Sequence, residues 1–340
     1  MVYYSRNITQ GVNDTETVSG LSNWRLIVRR EADHVIILRG TTCDVRAALP
    51  DTLFGLPVTA LERHALSPEQ RETGGEEVLI TCGGVPAQAE WNTRLVQDLT
   101  FPSGLTRVGD YALLNCVGLK TIRLHDSVTH WGGGALMNCR QLDTFFLTRT
   151  GAEQGESLAF FAGELPRELD VTVNYPDGTV ARLLFPEYQE IYEENCPAHH
   201  FDYVISGAGY PYHHCFRQKQ LRLKEYDALW PAYLGMEHEP EAAVRLAWQR
   251  LRWPAELTDK AASRYRAYLQ AHVPEAMDWL LKTGDAEGLQ FLLSFTEPDH
   301  ETLAAASAQA REGQNTAAVA ILIEEQHRRF PAGALKSFDL

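Results

Sequence analysis

Soft metal ligands crowd one stretch of the chain, CPAHHFDYVISGAGYPYHHCF, running from Cys196 to Phe216. Thiolate and imidazole at both ends of a hairpin suit tetrahedral zinc. The candidate set is Cys196, one of His199 and His200, one of His213 and His214, and Cys215. Neighbouring residues on a strand point to opposite faces, so His214 and Cys215 do not easily ligate together. The spacing also matches no standard zinc pattern. The same stretch reads equally as an aromatic hairpin packed through Phe201, Tyr203, Tyr210, Tyr212 and Phe216. Cys196, His199, His213 and Cys215 therefore stand as weak metal candidates, and no cofactor is assigned.

Other chemistry has less support. Gly207-Ala208-Gly209 follows a strand pattern but precedes Tyr-Pro-Tyr rather than a helix, so it reads as a turn. A dinucleotide fingerprint needs the helix N-terminus for the pyrophosphate. Trp131-Gly-Gly-Gly134 lacks the Lys-Ser/Thr of a phosphate loop. Neither His-Glu-x-x-His nor Gly-x-Ser-x-Gly occurs, and pairs such as Glu193-Glu194 and Glu324-Glu325 read as solvated faces. Catalysis has no positive signal, and the chain is expected not to be an enzyme.

Charge narrows the partners. Lys and Arg total 31 against 45 Asp and Glu, a net charge of −14 over 340 residues. Nucleic acid and anionic membrane both need a positive patch, so neither is expected. The first twenty residues lack a basic segment followed by an apolar one, and no window is long and apolar enough to span a bilayer. A cytoplasmic protein is expected; removal of a leader would make it secreted or surface-bound. Six cysteines in a chain this long do not read as a disulfide framework.

The positioning elements come from a repeat. Leu99–Thr121 set above Ile122–Thr144 aligns Thr106 with Thr129, Gly109 with Gly132, Ala112-Leu113 with Ala135-Leu136, and Asn115-Cys116 with Asn138-Cys139. A constant period in this range marks stacked units that bury their apolar faces against one another. Leu99/Phe101, Ile122/Leu124 and Phe145/Leu147 fall on one face of a short strand, leaving Thr100, Arg123 and Phe146 on the other. Gly109 and Gly132 suit turns of positive φ. Stacking brings Cys116 and Cys139 about 5 Å apart, as buried thiols rather than a bridge.

The units LTFPSGLTRVGDYALLNCVGL and IRLHDSVTHWGGGALMNCRQL resemble the BspA-like leucine-rich repeats of bacteria. ALPDTLFGLPVTALERHAL (Ala48–Leu66) resembles a first, broken copy, with Glu62 where Gly is expected. The resemblance covers about a third of the chain. It implies a solenoid whose work is recognition, and for secreted relatives an adhesin or host-binding role.

WRLIVRREADHVIILRG (Trp24–Gly40) reads as a leading hairpin, and LDVTVNYPDGTVARLLF (Leu169–Phe185) as a trailing one. From Pro240 the apolar period becomes 3.6, with Thr258 or Asp259 as a helix cap and Gly284 and Gly313 as stops. Ala304–Gln326 resembles an ankyrin-type helix pair, although the Thr-Pro-Leu-His opening is absent.

The expected class is α+β: a short leucine-rich-repeat solenoid, with a parallel β-sheet and short helical or 3-10 returns, followed by an α-helical ankyrin-like domain. The expected organisation is a hairpin cap at 1–44, repeats at 45–168 interrupted by an insertion at 67–94, and a mixed connector at 169–238. Helices follow at 239–330, and a tail at 331–340. The expected function is a protein-protein interaction scaffold, with a surface adhesin and a zinc-binding protein as alternatives. The expected protein-binding face is Thr100, Thr121, Arg123, His125, Thr144 and Phe146.

Overall fold

The computed structural model describes residues 16–69, 73–85, 87–151, 155–195 and 200–331. The chain is of mixed α+β class, a β-solenoid followed by a helical region. Its strands are β1 (Glu16–Ser19), β2 (Trp24–Arg30), β3 (Val35–Thr42), β4 (Arg46–Ala48), β5 (Thr52–Leu53), β6 (Leu56–Leu61), β7 (Glu76–Thr81), β8 (Asp98–Thr100), β9 (Arg107–Val108), β10 (Thr121–His125), β11 (His130–Trp131), β12 (Thr144–Thr148), β13 (Leu169–Asn174) and β14 (Val180–Phe185). They form two walls. One runs β4-β8-β10-β12-β13 in parallel and is closed by antiparallel β14; the other carries β6, β9 and β11 in parallel.

Register follows from burial. Ile122 lies beside Leu99 on one side and Phe145 on the other, and Phe145 beside Val171. All four are buried, with Val108, Ala112, Leu113, Ala135 and Leu136 filling the space between the walls. A slip of one residue would turn the whole apolar row to solvent.

The returns stack as tightly as the strands. The amide of Tyr111 donates to Gly133 O at 3.0 Å, Leu113 to Ala135 O at 2.9 Å, and Asn115 to Met137 O at 3.1 Å. Gly109 and Gly132 are not at positive φ, contrary to expectation; the left-handed positions are Tyr111, Gly134, Asn115 and Asn138. The glycines are needed for close approach. A Cβ on Gly109 would lie 2.7 Å from the Glu62 carbonyl carbon and the Arg63 nitrogen, and one on Gly132 only 2.3 Å from the Asp110 nitrogen. Asn115 and Asn138 join side chain to side chain, and Asn115 continues to Glu69 at 2.7 Å.

The insertion is not a plain loop. Its strand β7 pairs antiparallel with β2 and parallel with β1, extending the sheet in which β3 joins β6. At the other end, α1 (Ser157–Glu164) replaces the next return. Phe161 stacks on Phe145 at 4.1 Å, and Trp131 stacks on Phe160 at 4.9 Å and donates to Ser157 Oγ at 3.1 Å. That substitution ends the repeat period.

Beyond β14 come a two-stranded ribbon, β15 (Gln189–Asn195) with β16 (His200–Ser206), then α2 (Tyr210–His213), the pair β17 (Phe216–Arg217) and β18 (Gln220–Leu221), α3 (Leu223–Ala228) and α4 (Trp230–Leu234). The helices α5 (Pro240–Arg252), α6 (Asp259–Ala271), α7 (Val273–Thr283), α8 (Ala286–Leu293), α9 (His300–Glu312) and α10 (Thr316–Arg329) complete the chain. Thr258, Asp285, Asp299 and Asn315 each accept a hydrogen bond from the first turn of the helix they precede. Gly284 ends α7 in the left-handed conformation, whereas Gly313 is at φ −75° and Gln314 takes the left-handed turn after α9.

One buried ion pair ties these helices together. The fully buried Arg250 of α5 meets Asp227 of α3 through two hydrogen bonds of 2.7 and 2.9 Å, and also reaches Ala255 O at 3.0 Å. Tyr265 of α6 donates to the same carboxylate at 2.9 Å. Burial opposes the guanidinium charge, yet the Asp227 carboxylate outweighs it and the Arg250 pKa is raised.

Two outcomes follow. Asp227→Ala strands a buried cation and is expected to cost about 3–5 kcal/mol in denaturant unfolding; a loss under about 0.5 kcal/mol would contradict the account. Gly132→Ala, driven into the neighbouring backbone, should cost about 1–3 kcal/mol. Gly133→Ala, with nothing within 4 Å of the added carbon, should be near neutral in the same assay.

Candidate functional site

The outward face of the β4–β13 wall gathers the side chains expected to bind. Strand alternation buries Ile122, Leu124, Phe145 and Leu147 and leaves Thr121, Arg123, His125, Thr144 and Phe146 half-buried on the opposite side. Parallel pairing sets them in rungs: Thr121 beside Thr144, Arg123 between Thr100 and Phe146, and His125 beside Thr148. All six expected residues therefore share one surface.

The middle rung is a built arrangement. Asp98 holds Arg123 through Nε at 3.1 and 3.2 Å and through a terminal nitrogen at 3.0 Å. Planar guanidinium matches carboxylate in this two-point contact. The Arg123 guanidinium then lies 3.9 Å from the Phe146 ring centroid, a cation–π contact. Phe146 is thus a half-covered ring under a fixed cation, not a bare anchor. Further along, Phe146 neighbours the buried Thr172, and Thr172 pairs with Arg182. Arg182 sits 4.6 Å from the Trp253 ring and reaches Asp170 at 3.4 Å.

Helix α5 closes that end of the face. Gln249 donates to Asp170 at 2.9 Å, and Arg245 pairs with Glu168 and approaches Asp170 at 3.6 Å. Glu168 is pushed up by burial, against which Arg245 acts. Asp98, Arg182 and Trp253 contact this row or extend it but escape sequence reasoning. Only Asp98 carried a signal: one repeat before Thr121, it occupies the same rung.

The metal candidates come out differently. Cys196 and His199 lie outside the described residues. His213 and Cys215 are not on a hairpin strand: the ribbon pairs β15 with β16, and a short helix, α2, follows Gly209 after all. Strand β16 carries the chain about 20 Å from His200 to Ser206 at strand rise. His213 is buried, with Nδ1 at 2.9 Å from Ala162 O and Nε2 at 3.0 Å from Pro186 O. Both nitrogens therefore face backbone carbonyl oxygens. Cys215 donates to Tyr212 O at 3.0 Å, and burial pushes its pKa up to about 12, against the thiolate a metal needs. Among the described residues no group of three or more His, Cys, Asp or Glu can hold a metal ion. His213 and Cys215 are removed from the metal candidates on these grounds.

Cys116 and Cys139 are unbridged and buried, each donating to a carbonyl one coil back, Leu66 O at 3.4 Å and Leu113 O at 3.2 Å. Burial raises both pKa values, Cys139 to about 12. They are packing groups of the repeat, as their matched positions implied. Among the described residues no helix is long and apolar enough to cross a membrane.

Residues 89–166 match the BspA type leucine-rich-repeat region, in six copies. No curated protein matches the chain. Among solved structures, the chain is similar to a leucine-rich-repeat protein of T. pallidum, at 16% identity over 36% of this chain and 68% of that one, with a TM-score of 0.21. It is also similar to a leucine-rich cell surface protein of Faecalibacterium prausnitzii A2-165, at 15% identity over 50% of this chain and 44% of that one, with a TM-score of 0.25.

The buried imidazole leaves a signature in pH. Burial lowers the His213 pKa below its ordinary value, while the carbonyl contacts partly oppose the shift. The unfolded chain takes up the proton near pH 6.5 and the folded chain only at lower pH. This contribution to stability is therefore present above 6.5 and is lost as pH falls below it. Between pH 6.5 and 5.5 the wild type should lose up to about 1 kcal/mol more than His213→Gln in urea unfolding. Parallel pH profiles for the two proteins would refute this.

Proposed function

Because residues 89–166 form a BspA-type leucine-rich-repeat region, we propose that the chain is a non-enzymatic scaffold that binds a protein partner on the outward face of its β4–β13 wall. Leucine-rich-repeat proteins commonly serve as interaction or surface-binding modules, and solenoids offer extended surfaces for it. The observation that supports this reading is the Asp98–Arg123–Phe146 cluster. Its guanidinium is already fixed by two-point pairing and set over an aromatic ring. A side chain ordered beforehand gives up little freedom on docking. Arginine and aromatic side chains are also the types that dominate binding energy at protein interfaces.

Thr100, Thr121, Thr144 and His125 surround that cluster as hydrogen-bonding groups of small or moderate size. They fit a rim around the Arg123–Phe146 centre.

The test is affinity capture from a lysate of the source cell, using the whole chain and its Arg123→Ala and Phe146→Ala variants. Both exposed substitutions should leave melting within a few degrees of wild type, since a half-exposed pair contributes only about 0–1 kcal/mol. A partner of this face should be recovered at least about tenfold less by each variant, a loss of about 1.4 kcal/mol or more. Equal recovery of every captured protein by all three would rule the face out.

A further inference from the structure

A second site lies where the β-solenoid meets the helices. A cavity of about 540 Å³ opens between the β14–β15 corner, the end of β16 and the link from α4 to α5. Its lining includes Glu168, Glu187, Tyr188, Tyr233, Glu237 and Glu239. Glu168 is engaged by Arg245. Glu187, Glu237 and Glu239 enter no ion pair among the described residues, so the cavity keeps an uncompensated negative charge. Carboxylates alone say little, because this chain is acidic throughout.

Tyr233 supplies the independent observation. It is 1% exposed, and its phenol oxygen is buried without a hydrogen-bond partner. Buried hydroxyls almost always find one. Burial first, and then the charges of Glu168 and Glu239, push its pKa up, so the phenol stays neutral beside two carboxylates that line the same cavity. The walls are partly aromatic as well: the His238 ring lies 4.9 Å from that of Tyr233, and Tyr188 also lines the cavity.

We propose that this cavity binds an alkylammonium group, its nitrogen donating to the Tyr233 phenol oxygen and to the unpaired carboxylates, its methylene stem lying along Tyr188. An ammonium offers three donors and no acceptor, which matches a hydroxyl lone pair flanked by carboxylates. Aromatic faces favour a cation and cover its apolar stem. A bare divalent ion fits worse, because it needs several oxygens converging on one point, and no such group of carboxylates exists among the described residues. The ammonium could be the side chain of a lysine in a polypeptide or the end of a free diamine. The site is separate from the Arg123–Phe146 face and stands whether or not that face binds a partner.

The experiment is isothermal titration of the whole chain with three probes: acetyl-Gly-Lys-Gly-amide, putrescine, and the uncharged acetyl-Gly-norleucine-Gly-amide. At least one ammonium probe should bind saturably and the norleucine peptide should not. Tighter binding of the peptide assigns a polypeptide lysine, and tighter binding of putrescine assigns a free diamine. Tyr233→Phe should weaken the better probe by about tenfold or more, the usual effect of losing a hydrogen bond to a charged group. Its Tm should not fall, because the hydroxyl has no partner within the chain. Glu239→Gln should weaken the same probe and flatten its dependence on salt. The proposal is overturned if neither ammonium probe saturates, if the norleucine peptide binds as well, or if Tyr233→Phe leaves the affinity unchanged.

Discussion

Coils that pair strand to strand sit about 4.8 Å apart, and their returns must then approach just as closely. Most of the repeat's composition follows from that one distance. Gly109 and Gly132 lie where the backbone of the preceding return leaves no room for a Cβ. Ala112 and Ala135 are fully buried between the walls. Asn115 and Asn138 take the left-handed turn that small polar side chains tolerate, and their amides satisfy one another from coil to coil. The thiols after them are small enough to pack and still reach a carbonyl of the coil before. Glu62 departs from the glycine pattern because its coil comes first. Its amide meets Ile37 O of β3 rather than another return, and its carboxylate turns outward toward Arg29 and Arg107.

The same distance explains how the array stops. A stack of coils leaves an open apolar face at each end, and each is closed by an element that does not repeat. At the first end β3 pairs with β6, and Trp24, fully buried, donates to Ala48 O at 2.8 Å. At the other, the aromatic side chains of α1 fill the interior where a fourth return would lie, and antiparallel β14 ends the wall. Helix α5 then covers β14, and the Arg250–Asp227 pair fixes α5 to α3 and α6 behind it. A pair this buried contributes little net stability but penalises any other arrangement of the three helices.

Legibility in the sequence follows contact distance along the chain. The coils could be read because each residue's neighbour lies one period away, so one spacing encodes strand, return and register. The cap at Thr258 could be read because it acts on an amide three residues ahead; Asp285, Asp299 and Asn315 act at the same distance. Strand β7 could not, since its partner β2 lies some fifty residues back and only the folded cap brings them together. The His/Cys stretch was misread for a related reason. Its alternation suits a strand, but the backbone of Pro186 crowds Gly209 so closely that the chain turns there into α2, and the carbonyls that hold His213 come from distant segments. Of the outward face of the wall, the rungs were legible from the period, whereas Arg182 and Trp253 arrive from outside it.

The two proposed surfaces differ in what they would ask of a partner, and the fold keeps them apart for a physical reason. The Arg123–Phe146 face lies on the rigid parallel wall, its cation already balanced by Asp98, so it offers shape and polarizable area more than charge. The cavity at Tyr233 lies where that wall hands over to helices, and turns and helix starts there supply carboxylates without a register to pair them. Packing α5 against β13 and β14 buries Thr172 and consumes Asp170 and Glu168 in contacts with Gln249 and Arg245. The neighbouring acids Glu187, Glu237 and Glu239 are left without an ion-pair partner among the described residues. The docking of helix on sheet thus both limits the length of the face and leaves the acidic cavity beside it.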